Sequence, residues 1–290
     1  MQINDALDLF YLDCQARRLT PSTITFYKLK VGDFSRWLQG RDITDVTAIT
    51  STDIKRYLVH LQERGLNDTS QHDYARAVKT FLNYCVRDEL LDRSPFDKVK
   101  MPQQEQRLPV VLTDDEVRRA LHMVKPQRNR LIVRFILDSG VRAAELLALN
   151  VGDIEMATGV VVVRLGKQQK ERLTAIGGRT RKEVKRYLIE RGHPSSHEPL
   201  IASTTTGARL SMPGLMGAFR KMQGQTGIDH LTAHALRRTM ATRAMENGAN
   251  EYILARMLGH SDLQMLKRYV AVSRRMVEEA GAQFSVVDNL

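Results

Sequence analysis

Residues 94–107 read Ser-Pro-Phe-Asp-Lys-Val-Lys-Met-Pro-Gln-Gln-Glu-Gln-Arg. Prolines at 95 and 102, with three glutamines set among charges, give this run the composition of an exposed linker, since proline interrupts helices and polar side chains gain little from burial. It divides the 290-residue chain into residues 1–94, a linker at 95–109 and residues 110–290, a length that suits two ordinary domains.

On the N-terminal side, helix follows helix and no alternating strand pattern intervenes. Ile3, Ala6, Leu7, Phe10 and Tyr11 share one face of a first helix. Thr20 before Pro21 places a capping hydroxyl ahead of a proline at the first helical position, and Ile24, Tyr27, Val31, Phe34 and Leu38 continue at helical spacing to Gly40. Ser51 opens a third helix that Gly65 closes, and Thr69 or Ser70 opens a fourth carrying Tyr74, Val78, Phe81, Leu82 and Cys85. The expected N-terminal unit is therefore a four-helix module. On the C-terminal side, Thr113 and Glu116 have the spacing of a capping box. Val160–Leu165 is rich in β-branched residues, Gly166–Lys170 is polar and Leu173–Ile176 resumes apolar character, which predicts a β-hairpin inside an otherwise helical unit. The fold class expected is mainly α with a small β-sheet.

Composition narrows the function. Hydrophobic residues at 42% and charged residues at 27% exclude a disordered or low-complexity chain. Two cysteines, Cys14 and Cys85, exclude a disulfide framework and a cysteine-rich zinc site and point to a reducing compartment. No run approaches the roughly 18 consecutive apolar residues of a membrane helix, and Met1-Gln2-Ile3-Asn4-Asp5 lacks the pattern of a signal peptide, so a cytoplasmic protein with no membrane partner is expected. The net charge of +11 is uneven: residues 1–100 hold 15 basic and 14 acidic side chains, residues 101–290 hold 29 and 19. A basic excess in the second part suggests a polyanionic partner, because each Lys or Arg laid on a phosphate releases condensed counterions.

Four separated sites carry candidate chemistry. Ser139-Gly140-Val141-Arg142-Ala143-Ala144-Glu145-Leu146 places Arg142 after a glycine turn at a helix start, where a guanidinium can grip an oxyanion bidentately or simply pair with Glu145. Gly166-Lys167-Gln168-Gln169-Lys170-Glu171-Arg172 forms the hairpin tip, a solvated turn or a mobile ammonium. His234-Ala235-Leu236-Arg237 points an imidazole and a guanidinium from one helix face, the alternative being a buried structural pair. Leu258-Gly259-His260-Ser261-Asp262 is followed by Tyr269, and a break at Gly259 and His260, with Ser261 capping a new helix, allows His260 and Tyr269 to face one site. His193 and His197 stand four apart, but Pro194 breaks the helix that a zinc pair would need, so no metal is expected.

Taken together, Arg142, Lys167, His234-x-x-Arg237, His260 and Tyr269 resemble the motif series of the tyrosine recombinase (phage integrase) family, most closely its Xer-like members of minimal length, and the likeness covers nearly the whole chain. Arg238 stands where the family often has a second His, and Met265 and Leu266 where Thr residues often precede the nucleophile; neither departure removes a catalytic group.

The resemblance implies an N-terminal core-binding domain, an α+β catalytic domain, and site-specific recombination through a 3′-phosphotyrosyl intermediate and a Holliday junction. It implies Tyr269 as nucleophile, Lys167 as general acid, Arg142, Arg237 and His260 on the phosphate oxygens, His234 assisting proton movement, and Glu145 holding the site together. It further implies double-stranded DNA with paired core sites as partner, a homotetramer on that DNA, and neither metal nor other cofactor. Accessory proteins are left open. The first helix begins almost at Met1, leaving no room for an arm-binding module, so simple core sites are expected. Met276, Val277, Ala280 and Phe284 have the spacing of a tail helix that docks on its own domain or on a neighbouring subunit. The competing readings are a type IB topoisomerase, which shares the chemistry, and a non-catalytic regulator, because Glu251–Met265 resembles a helix-turn-helix.

Overall fold

The computed structural model describes residues 1–103, 110–164 and 171–259. The chain forms two compact units, Met1–Arg107 and Leu108–Leu290.

In the first unit, α1 (Ile3–Ala16), α2 (Pro21–Gln39), α3 (Ser51–Glu63) and α4 (Asp68–Arg87) enclose one aromatic-rich core. Thr20 caps α2 by accepting the Thr23 N–H at 3.2 Å. α3 opens at Ser51 as expected, with Thr50 before it exchanging bonds with Asp53 in a capping box. α4 starts before the expected Thr69 or Ser70, because the Asn67 amide oxygen accepts the Ser70 N–H at 2.8 Å and caps it. Phe10 meets Tyr27 and Phe81 edge-on at 5.2 and 5.6 Å between ring centres, the arrangement aromatic quadrupoles prefer. Tyr57 is fully buried, and its hydroxyl donates to Asp33 at 2.8 Å. Burial, with that carboxylate as acceptor, pushes its phenol far above the usual tyrosine range.

The exposed run expected from residue 95 does not start there. Ser94 accepts the Phe96 N–H and caps a 3-10 turn over Pro95–Lys98, which sets Phe96 into the core at 1% exposure, with Val99 and Met101 packed beside it. Proline and charge describe the turn's outer surface, whereas one phenyl ring decides where the segment lies.

In the second unit, α5 (Asp114–Met123) opens with the expected Thr113–Glu116 capping box. Then come α6 (Gln127–Ser139), α7 (Ala143–Ala148), strands β1 (Val160–Arg164) and β2 (Glu171–Ala175), α8 (Gly178–Glu190), α9 (Met212–Thr226), α10 (Ala233–Glu246) and α11 (Glu251–Leu258). α6 runs through the core, burying Leu131, Ile132, Val133, Phe135 and Ile136, as a helix apolar on most of its sides must. The strands form a two-stranded antiparallel sheet in which Val162 faces Leu173. β1 turns Val161 and Val163 inward. β2 buries Arg172 and Thr174 instead, while Leu173 points out at 60% exposure. The face of β2 that meets the core is thus polar, and this places a guanidinium inside the domain.

If Phe96 anchors the segment that follows α4, Phe96→Ala should destabilise the first unit by about 3 kcal/mol in urea unfolding, the usual cost of emptying a phenyl site. A change within experimental error would return residues 95–101 to the linker.

Candidate active site

The site grows from the end of α6. The Ser139 carbonyl accepts the Thr174 hydroxyl from β2 at 2.7 Å, and Gly140 turns the chain with φ +63°. A side chain there is excluded twice: the left-handed conformation disfavours it, and its Cβ would stand 2.6 Å from Leu258 Cδ2. Val141 is buried, and Arg142 becomes the residue that precedes α7.

Glu145, in the first turn of α7, gathers three guanidinium groups. Its Oε2 accepts the Arg142 backbone N–H at 2.7 Å and Arg172 Nη2 at 2.6 Å, its Oε1 accepts Arg142 Nη1 at 2.8 Å, and Arg237 Nη1 lies 3.9 Å from Oε2. The same three arginines take three successive carbonyls at the end of α11. Arg172 Nη1 donates to Met257, Arg237 Nη2 to Leu258 at 2.6 Å, and Arg142 Nη2 to Gly259 at 3.2 Å. Arg237 Nη1 donates as well to the Gly140 carbonyl. The last carbonyls of a helix have no partner in the helix itself and carry partial negative charge, so guanidinium groups suit them.

Burial differs across the cluster. Arg237 is 4% exposed, Arg172 8% and Glu145 8%, whereas the Arg142 side chain is 44% exposed. Burial alone would raise the Glu145 carboxyl, but the Arg142 N–H and the charges of Arg172 and Arg142 outweigh it and hold the group below the usual carboxylate range. Burial lowers the Arg172 guanidinium, which stays charged because the intrinsic value is so high. Three cations around one carboxylate leave net positive charge at a site with one face open to solvent. Such a site takes an anion.

His234 stands at the surface in the first turn of α10, whose cap is Thr232, one helical turn before Arg237. Desolvation first, and then the charges of Arg238 and Arg237, lower its pKa below the usual histidine value, so its imidazole is neutral at neutral pH. The structure therefore brings Arg142 and Arg237 together and sets His234 on the same helix as the second. Lys167, His260 and Tyr269 fall outside the described residues. Arg172 is the member that sequence reasoning missed. The signal is the period of two: Arg172 and Thr174 share a face with the apolar Ile176, and all three are buried. Among the described residues, no three His, Cys, Asp or Glu side chains cluster to hold a metal, and no helix is long and apolar enough to cross a membrane.

A helical N-terminal unit and a second unit that concentrates three arginines around one carboxylate at a partly open site define a class of protein that binds an anion. Residues 110–276 match the phage integrase family, and residues 7–92 match the phage integrase N-terminal SAM-like domain. The tyrosine recombinase XerD of Halalkalibacterium halodurans is 30% identical over 279 residues, covering 92% of this chain and 93% of that protein. Among solved structures, XerA recombinase has a TM-score of 0.56 at 26% identity, covering 97% of this chain and 98% of the other. A lambda integrase dimer bound to a COC' core site has a TM-score of 0.77 at 18% identity, covering 93% and 77%. The chain therefore belongs to the phage integrase family, the site-specific tyrosine recombinases, and stands with their Xer-like members.

The carboxylate makes a testable contribution to stability. Its folded pKa is depressed, so the stabilisation is present above the unfolded value of about 4.3 and is lost as pH falls through the folded value. Glu145→Gln should lower unfolding free energy at pH 7 by about 3 kcal/mol, the cost of breaking a buried pair. The gap to wild type should close as pH falls below about 4, and a gap independent of pH would show that the charge of Glu145 is not what stabilises the cluster.

Proposed function

We propose that the chain cleaves and rejoins DNA at paired core sites by transesterification at Tyr269, with Arg142 and Arg237 as the grip on the scissile phosphate. The observation that carries this reading is the convergence of the two arginines, 95 residues apart in sequence, on one carboxylate and one helix end.

A phosphodiester resists nucleophiles because of its negative charge, and a phenol with a pKa near 10 is mostly protonated at neutral pH. Positive charge and proton transfer are what a catalyst must add. Arg142 and Arg237 hold the non-bridging oxygens and stabilise the additional charge of the pentavalent transition state, where one well-placed donor is typically worth about 100-fold or more in rate. His260 adds a further hydrogen bond. The Tyr269 oxygen bonds to phosphorus as the bond to the 5′-oxygen breaks, leaving a 3′-phosphotyrosyl link and a free 5′-hydroxyl. The Lys167 ammonium gives its proton to the departing 5′-oxygen. His234, neutral at neutral pH, is in the right state to accept the phenol proton. The covalent link conserves the energy of the phosphodiester, so a 5′-hydroxyl from a second duplex reseals the strand without ATP.

Exchange between two duplexes passes through a Holliday junction and needs four active sites, hence a homotetramer on DNA, with the tail bearing Met276, Val277, Ala280 and Phe284 as a candidate connector between subunits. The basic excess of residues 101–290 favours the duplex partner. A reducing cytoplasm, with the protein on the nucleoid when bound, is the compartment that suits this work.

The test uses a nicked suicide duplex carrying the cognate site, found by selecting bound genomic fragments. Wild type should give a covalent protein-DNA band and Tyr269→Phe should give none, while synapsis of two sites separates a recombinase from a topoisomerase. An unchanged band in Tyr269→Phe would remove the nucleophile, and tight binding without any wild-type band would favour a non-catalytic regulator.

A further inference from the structure

We propose that Arg172 is a positioning residue for strand cleavage: it fixes the separation between the Glu145 carboxylate and the end of α11, and so sets where Arg142 and Arg237 present their guanidinium groups. The inference rests on the reading of these two arginines as the phosphate grip.

Arg172 is an improbable residue for its place. It occupies an inward position of β2 at 8% exposure, where an apolar side chain would be easier to bury, since removing a guanidinium from water is unfavourable until partners compensate it. Its Nε is buried and, among the described residues, has no hydrogen-bond partner, a further cost that tight packing alone does not explain. What the side chain provides is geometry. Its two terminal nitrogens reach two groups far apart in sequence, Glu145 Oε2 at 2.6 Å and the Met257 carbonyl. A planar fork makes two bonds at a fixed spacing, which an ammonium on a flexible stem does not.

Both partners are supports of the other two arginines. Glu145 holds Arg142 through its backbone and its side chain, and Met257 adjoins Leu258, whose carbonyl holds Arg237. The contact continues along the stem. A Cβ on Gly259 would stand 2.7 Å from Arg172 Cδ and 2.8 Å from Nε, so the turn that ends α11 rests directly on this side chain and has room for glycine alone. Gly259 in turn gives its carbonyl to Arg142. One buried side chain thus joins β2, α7 and the end of α11. Arg172 thus has its effect through Glu145 and the end of α11, with no contact of its own to the phosphate.

The experiment compares wild type, Arg172→Met and Arg172→Lys in single-turnover scission of a nicked suicide duplex. The scissile group is either an ordinary phosphodiester or a methylphosphonate, in which a methyl group replaces one non-bridging oxygen and removes the charge that the arginines meet. Site affinity and thermal melting are recorded beside it. On the phosphodiester both variants should cleave about 100-fold more slowly than wild type, the size of loss that a misplacement of about 1 Å produces. On the methylphosphonate, which asks less of the guanidinium groups, each variant should come within about tenfold of wild type on that same substrate. Arg172→Lys keeps the charge and much of the volume, so it reads the loss of the fork even where Arg172→Met does not fold. Equal losses on both substrates would overturn the inference and leave Arg172 a stability residue, as would unimpaired cleavage by both variants. Failure of wild type to cut either substrate would instead refute the reading on which the inference rests.

Discussion

One carboxylate organises this molecule's chemistry. Three guanidinium groups within reach of one another repel strongly where water is excluded, and two of these three are almost wholly buried. Glu145 makes the arrangement possible by accepting directly from Arg142 and Arg172 with Arg237 close by, and the three carbonyls at the end of α11 take up further donors. The compensation is deliberately incomplete in its effect: one negative charge and a helix dipole stand against three positive charges, and the surplus faces solvent at Arg142. A site of this kind attracts anions and repels cations.

The fold explains how such a cluster is held. Its members come from α7, β2, α10 and the last turn of α11, and no local segment could assemble them alone. Two glycines set the approach. Gly140 lets α6 end against Leu258, and Gly259 lets α11 end against the stem of Arg172; both adopt the left-handed conformation, and in both a Cβ would collide with a neighbour. The Thr174 bond to the Ser139 carbonyl ties the strand that supplies Arg172 to the turn that supplies Arg142. Mechanical continuity between the hairpin and the arginine turn is therefore built from hydrogen bonds as well as packing.

Local signals were legible in the sequence where the physics is local. The capping box at Thr113 and Glu116, the proline start of α2 and the β-branched run of β1 depend on neighbours a few residues away, and each formed as the spacing predicts. Arg142 and Arg237 were legible as candidates because each sits at a marked position, one after a glycine turn and one a helical turn beyond His234. What spacing did not disclose was position relative to the interior. Leu173 drew attention as the apolar residue of β2 and lies outside, while Arg172 lies inside, because partners 27 residues earlier and 85 residues later satisfy it. Phe96 was hidden in the same way, as a single ring within a polar run whose burial depends on a core assembled by four distant helices.

The central claim is that Arg142 and Arg237 close on one phosphate while Glu145 and Arg172 hold them in place. The most direct measurement is a crystal structure of the protein on its cognate site, with vanadate bridging Tyr269 and the free 5′-hydroxyl as a mimic of the pentavalent phosphorus. The account predicts both guanidinium groups within hydrogen-bond distance of non-bridging oxygens on the same centre, with the bond between Arg172 and Glu145 intact. A vanadate held by other side chains, with Arg142 and Arg237 still spent on the carbonyls of Gly259 and Leu258, would contradict it.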